Sequence, residues 1–192
     1  IYLQTIGQFN NIFAVGTDAS NGYRIDVTTG NDLRFLSHIG GTWTDQGLLT
    51  DDPLVANRWY HVAVTRNGND FDIWIDGQRG CSTVTSSSSI TNPNTQLEIG
   101  RLTTNSLDRN YHGFISNLRF VNGSAVYTSP FTPPTAPLTN VTNTKLLCCQ
   151  SNLFPGGAAV SPSISGLNNG TQWSYYLTTT QGAYSRDFYS VA

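Results

Sequence analysis

The stretch NRWYHVAVTRNGNDFDIWIDG, residues 57–77, reads as two apolar runs joined by a polar turn. Trp59 to Thr65 is rich in aromatic and β-branched residues, which suit a pleated, half-buried surface. Phe71, Ile73 and Ile75 alternate with Asp72, Trp74 and Asp76, the two-residue period of a strand. Between the runs, Arg66-Asn67-Gly68-Asn69-Asp70 supplies Asn and Gly, which tolerate positive φ and let the chain reverse. Asp76-Gly77 marks a second reversal. The stretch predicts a β-hairpin at the centre of an antiparallel sheet.

The remaining composition agrees. A chain of 192 residues can bury the core of one sizeable β domain. Charged residues make up 11%, against roughly 25% in average soluble proteins. There is one Glu (Glu98), one Lys (Lys145) and no Met, so good helix formers are scarce. Ser, Thr and Asn supply 18, 24 and 18 residues, a neutral polar surface suited to a secreted, cell-surface or virion protein. With a net charge of −2 and no Lys/Arg cluster, the sequence carries no electrostatic footprint for nucleic acid. No apolar run approaches the roughly 20 residues that span a membrane. The sequence shows no signal peptide, and its start at Ile1 leaves an upstream segment open. Cys81, Cys148 and Cys149 are odd in number; a bridge from Cys81 to either of the pair and three small buried thiols are both open readings.

Outward from the hairpin, short strands are expected at Ile1–Leu3, Ile12–Gly16, Tyr23–Val27 and Leu33–Ile39, with a turn at Thr29–Asp32. Gly40 to Asp52 reads as a polar loop holding Trp43, and Gln78 to Thr95 as a long loop made mobile by Ser86-Ser87-Ser88-Ser89. Leu97–Gly100 is a strand with Leu97 and Ile99 on one face, and Arg101–Asn110 a loop. Tyr111–Val121 reads as one strand with a bulge near Ser116-Asn117. Four prolines in Thr128–Pro137 forbid a central strand there, so that segment should lie extended on the surface. Lys145–Cys149 is a further strand. Residues 153–192 crowd Trp173, Tyr175, Tyr176, Tyr184, Phe188 and Tyr189 into either another hairpin or a docking arm. Many short strands between Gly/Asn/Pro turns, without a helical period, define an all-β sandwich.

Trp59-Tyr60-His61-Val62-Ala63-Val64-Thr65 followed by Ile73-Trp74-Ile75-Asp76-Gly77 resembles the W-x-H-V-A-x-T…D/N-G pattern of laminin-G-like domains, in the concanavalin A-like lectin/glucanase superfamily. Ile99-Gly100-Arg101 and Gly113-Phe114-Ile115-Ser116-Asn117-Leu118-Arg119-Phe120 are similar to that family's I-G-x…G-x-I-D-E-V-R-I segment. AVYTSPFTPPTAPLT and TKLLCCQSN resemble a subgroup found in structural proteins of bacteriophages, especially those of marine and cyanobacterial hosts. The resemblance implies a two-sheet antiparallel jelly roll over residues 1–152, followed by a C-terminal extension, 153–192. Family members begin with an apolar strand of the F-T-I-E-x-W type, and this chain starts beyond it. Trp173–Leu177, or a neighbouring subunit's strand, is expected to complete the sheet.

Glucanases of the superfamily pair two carboxylates, which retaining hydrolysis needs roughly 5–5.5 Å apart. Glu98 is the sole Glu, and Asp72 and Asp76 on a regular strand stand about 13 Å apart. Asp70, Asp72 and Asp76 read instead as a solvated turn and strand face. His38, His61 and His112 are the only imidazoles, no G-x-S-x-G occurs, and His61 belongs to the fold motif. The chain is therefore expected to be non-enzymatic, with no catalytic residues and no cofactor. Calcium is the one metal the resemblance raises; Asp45, Asp51, Asp52 and Asp108 are loop acids without a transferable pattern. Glycan binding would fall to rim aromatics, with Trp43, Trp173, Tyr175 and Tyr176 as candidates against a core or interface role. Sequons at Asn122, Asn140 and Asn169 match chance in so Asn-rich a chain. The expectation is a phage virion protein, a head decoration, fibre or tail-associated module. It would assemble with other virion proteins in arrayed or oligomeric copies and touch host-surface glycans. A secreted bacterial carbohydrate-binding or adhesion module cut from a larger protein is the alternative.

Overall fold

A computed structural model of the chain describes residues 1–15, 22–39, 42–44, 47–90, 97–104, 107–150, 163–168, 173–179 and 182–188. The chain divides into two compact units, Ile1–Phe114 with Ala125–Pro133, and Ile115–Ser124 with Pro134–Ala192. All regular structure among the described residues is β-strand. The first unit holds β1 (Tyr2–Leu3), β2 (Asn10–Val15), β3 (Tyr23–Val27), β4 (Leu33–Ile39), β5 (Thr42–Thr44), β6 (Val62–Asn67), β7 (Asp70–Ile75), β8 (Gln78–Arg79), β9 (Val84–Thr85), β10 (Leu97–Ile99), β11 (Arg101–Thr104), β12 (Leu107–Asn110) and β13 (Gly113–Phe114). The second holds β14 (Leu118–Val121), β15 (Thr144–Cys148), β16 (Ser163–Asn168), β17 (Trp173–Thr179) and β18 (Gly182–Phe188).

The first unit is an antiparallel β-sandwich. One sheet runs β10-β2-β3-β4-β5 and the other joins β6, β7, β8 and β9 around β7. Aromatic rings connect them. Phe13 lies 6.3 Å from Tyr23, Tyr23 6.3 Å from Phe35, and Phe35 6.1 Å from Phe71 of the opposite sheet. Burial at this seam pushes the Tyr23 phenol up to about 12.

The central hairpin forms as its sequence predicts, with a tighter turn. Asn67 pairs with Asp70, which leaves Gly68-Asn69 as a two-residue loop. Gly68 sits at φ +63 in its first position, the type II′ arrangement whose twist matches the flanking strands. Strand β6 starts at Val62, later than expected, and Trp59 makes only an isolated bridge to Tyr2.

Strand β7 is buried on both faces. Phe71 and Ile73 face the seam; Asp72 and Trp74 face the other way and are equally enclosed. The Trp74 indole N–H donates to Thr65 Oγ1 at 2.9 Å. Asp72 accepts from Arg79 Nε at 2.9 Å and from Thr83 Oγ1 at 2.6 Å, so it is no part of a solvated face. Over Trp74 lies the Pro-rich segment, which forms no strand. Phe131 places its ring 5.9 Å from the indole, stacks on Tyr127 at 3.7 Å, and donates its N–H to Gly77 O at 3.0 Å.

Several expected loops are ordered as strands. Trp43 lies in β5, paired with His38. Arg101–Thr104 and Leu107–Asn110 pair as the antiparallel β11–β12 hairpin. Glu98 is buried along with Ile99, so β10 does not alternate between a core and a solvent face. The serine tract is tied down by Arg66, whose Nη2 donates to Ser86 O at 3.4 Å and Ser88 O at 3.1 Å. Tyr111–Val121 is two strands, not one: β13 pairs with β1, and β14 pairs with β15. The break falls at Ile115–Asn117, with Asn117 at φ +54, and the register irregularity sits at Phe120/Val121. In the second unit, β17 is the middle strand between β16 and β18, so residues 163–188 form a three-stranded meander and both edges of β17 are taken within it.

The Asp76-Gly77 reversal has both residues at positive φ, +49 and +81, a type I′ turn. A Cβ on Gly77 would stand 1.8 Å from the Phe131 carbonyl oxygen. Gly77→Ala is expected to lower unfolding free energy by about 2 kcal/mol or more, measured by urea denaturation, because strain and a backbone clash coincide there.

Candidate functional site

On the outer face of the five-stranded sheet the register brings charged and polar side chains of neighbouring strands into line. Asn11, Asp26 and Arg34 oppose one another across β2, β3 and β4. Glu98, Ala14, Arg24 and Leu36 form the neighbouring row. Directly opposed residues point to one face. Asp26 is wholly buried and gathers three guanidinium groups. Arg34 binds it in a fork, Nε to Oδ1 at 2.9 Å and Nη2 to Oδ2 at 2.8 Å. Arg24 Nε stands 3.2 Å from Oδ2, and Arg109 reaches in from β12 with Nη1 at 3.8 Å. The Arg109 guanidinium also lies 3.8 Å above the Phe9 ring. Burial first, and then the neighbouring guanidinium groups, lower the pKa values of Arg24 and Arg109, while Asp26 opposes the shift. Arginine stays charged in proteins, so all three remain cations.

A second surface lies at the approach to the central hairpin. Trp59, the first residue of the motif that marks the family resemblance, is 52% exposed. Its ring lies 5.6 Å from Tyr2, whose ring lies 5.7 Å from Phe114. The preceding residue, Arg58, pairs with Asp76 and covers the Tyr60 ring at 4.2 Å. Asp76 Oδ1 in turn accepts the His61 backbone N–H at 2.8 Å. The result is an exposed indole set against Tyr2 on one face of this extended segment, while Arg58 and Tyr60 alternate to the other face.

The glycan candidates Trp43, Trp173, Tyr175 and Tyr176 lie on β5 and β17, and their side chains are outside the described residues. The loop acid Asp45 is outside them too, as is the side chain of Asp108. Asp51 and Asp52 are exposed. Among the described residues no three His, Cys, Asp or Glu side chains gather in a group that could hold a metal ion. Asp70 accepts from Thr85 Oγ1 at 2.7 Å. His38 is buried on β4. His61 meets Tyr127 and Phe131 edge-on at 5.7 and 5.4 Å. The backbone N–H of His112 donates to Asn10 Oδ1 at 2.8 Å. All three cysteines are free thiols.

The two charge clusters differ in how much they stabilise. Removing one partner of a buried pair strands the other charges, whereas an exposed pair is screened. Asp26→Ala should cost about 3–5 kcal/mol in urea unfolding and Arg58→Ala less than about 1 kcal/mol.

No curated protein and no solved structure matches the chain. The laminin G family model matches residues 1–128, the span that holds the sandwich, its aromatic seam and both surfaces above. The chain therefore belongs to the laminin G branch of the Concanavalin A-like lectin/glucanases superfamily.

Proposed function

We propose that this chain is a non-catalytic carbohydrate-binding or adhesion domain whose contact surface is centred on Trp59. The observation that carries the reading is the half-exposed indole set against Tyr2. An exposed Trp is an uncommon use of the costliest apolar side chain, and such rings anchor binding surfaces. A sugar ring offers an apolar C–H face that packs on an indole, which suits such a ring to a glycan ligand. Three of the strand carboxylates are engaged elsewhere: Asp70 by Thr85, Asp72 by Arg79 and Thr83, Asp26 by arginines. These engagements support a binding role over glycoside hydrolysis.

The phage setting rests on the Pro-rich and LLCCQSN segments and on the neutral polar composition. In that setting the domain sits on the virion among other structural proteins, and repeated copies convert weak glycan contacts into avidity. Mass spectrometry of purified particles should recover the chain; particles that never contain it would move the domain to a secreted bacterial protein.

Binding itself is tested on a glycan array with the whole chain. Trp59→Ala should lose about tenfold or more in affinity for any glycan retained, with little change in thermal midpoint, because the ring is half outside the core. Trp74→Ala, by contrast, should cost about 3–5 kcal/mol of stability. A Trp59→Ala protein that binds as well as the parent excludes this surface, and a parent that binds no glycan excludes the reading.

A further inference from the structure

At the end of β15 two thiols stand side by side. Cys148 is the last strand residue, paired with Leu118 of β14, and its side chain is buried. Cys149 follows at φ +61, half-buried, where the chain leaves the strand. The sulfurs are 3.6 Å apart, in sulfur hydrogen-bond contact. The Cys149 carbonyl accepts the Asn117 N–H at 2.8 Å, which fixes the turn that aims the second thiol back at the first. We propose that Cys148 and Cys149 form a thiol–disulfide exchange site, which closes to a vicinal disulfide on reaction with a small-molecule disulfide.

The chemistry distributes itself between the two positions. Contact with the Cys148 thiol lowers the Cys149 pKa, whereas the same contact and then burial raise that of Cys148. Cys149, the more exposed, is thus the attacking thiolate. It attacks one sulfur of the incoming disulfide RSSR; that S–S bond breaks, RS⁻ leaves, and a mixed disulfide forms on Cys149. Cys148 then gives its proton to the RS⁻ released in the first step and attacks Cys149 Sγ, and the second RS⁻ leaves. Two protein thiols are oxidised and one RSSR is reduced to two RSH.

The closed form is labile for a geometric reason. No cis peptide bond occurs among the described residues, and trans neighbours have Cα atoms about 3.8 Å apart. Disulfides ordinarily span Cα separations of about 4.4–6.8 Å, and compression below that stores strain that favours reduction. Closure also moves the Cys149 carbonyl that Asn117 holds. Asn117 Oδ1 in turn accepts from Leu138 N–H at 3.1 Å and Gln150 Nε2 at 3.3 Å, so the state of the pair reaches the 138–150 segment.

The test equilibrates the whole chain in mixtures of reduced and oxidised glutathione, traps thiols with iodoacetamide and reads intact and peptide masses. The expected result is a species with two fewer alkylations, mapped to the peptide holding Cys148 and Cys149 and reversed by excess reduced glutathione. Cys81→Ser should leave it unchanged, and Cys149→Ser should abolish it while keeping the parent's circular dichroism spectrum. A persistent glutathione adduct on Cys149, a bridge to Cys81 or to a second copy, or full alkylation at every ratio would overturn the proposal.

Discussion

The fold depends on a strand with no solvent face. β7 must find apolar partners for Phe71 and Ile73 on one side and for Trp74 on the other, and a partner for each polar atom it buries. The first side is met by the aromatic seam through Phe35. The second is met by nearby residues, Thr65 for the indole N–H and Arg79 and Thr83 for Asp72, and by the distant Phe131 for the ring face. A polar group buried without a partner costs about 1–3 kcal/mol, so these contacts act as constraints on the chain path. They explain why a proline-rich segment that cannot join a sheet is nonetheless held in place. Its one backbone bond to Gly77 requires a residue without a Cβ.

The outer face of the other sheet solves a different problem. Burying Asp26 as an isolated carboxylate would be prohibitive, and the three arginines offset that desolvation. The forked Arg34 contact fixes geometry, while Arg109 ties the β11–β12 hairpin to the sheet. Trp59 stands outside both constraints. Its neighbours hold it without enclosing it, which leaves its ring available to a ligand.

Legibility from sequence followed the range of the forces involved. The hairpin at residues 57–77 was readable because alternation and Gly68 act over a few residues. The pairing of Asp26 with Arg34 was not. A four-residue turn at Thr29–Asp32 would oppose Asp26 to Phe35, whereas the observed five-residue connection pairs Val27 with Leu33 and Asp26 with Arg34. Asn31 at φ +74 and the Asn31 N–H to Thr28 O bond of 3.0 Å make the difference. A slip of one residue moves every side chain to the opposite face, so the cluster was invisible without the register. Arg109 carried no signal at all, because Arg101–Asn110 lacks the apolar alternation that marks a strand. The position of Cys149 beside Cys148 was in the sequence; the inward aim of both sulfurs was not.

By itself the sequence determined an all-β chain of short strands, the central hairpin with its two Gly-bearing turns, and the motifs that place residues 1–128 in the laminin G branch of the concanavalin A-like superfamily. These are local: they depend on periodicity, β-propensity and the φ that Gly and Asn accept. Tertiary structure alone decided which side of each strand is inside. It buried Trp74 and Asp72, left Trp59 exposed, and brought Arg109 to Asp26 across more than eighty residues of chain. The two tryptophans show the reason. Both sit in strand-like surroundings fifteen residues apart, and exposure depends on what distant chain arrives to cover a ring, which no local pattern encodes.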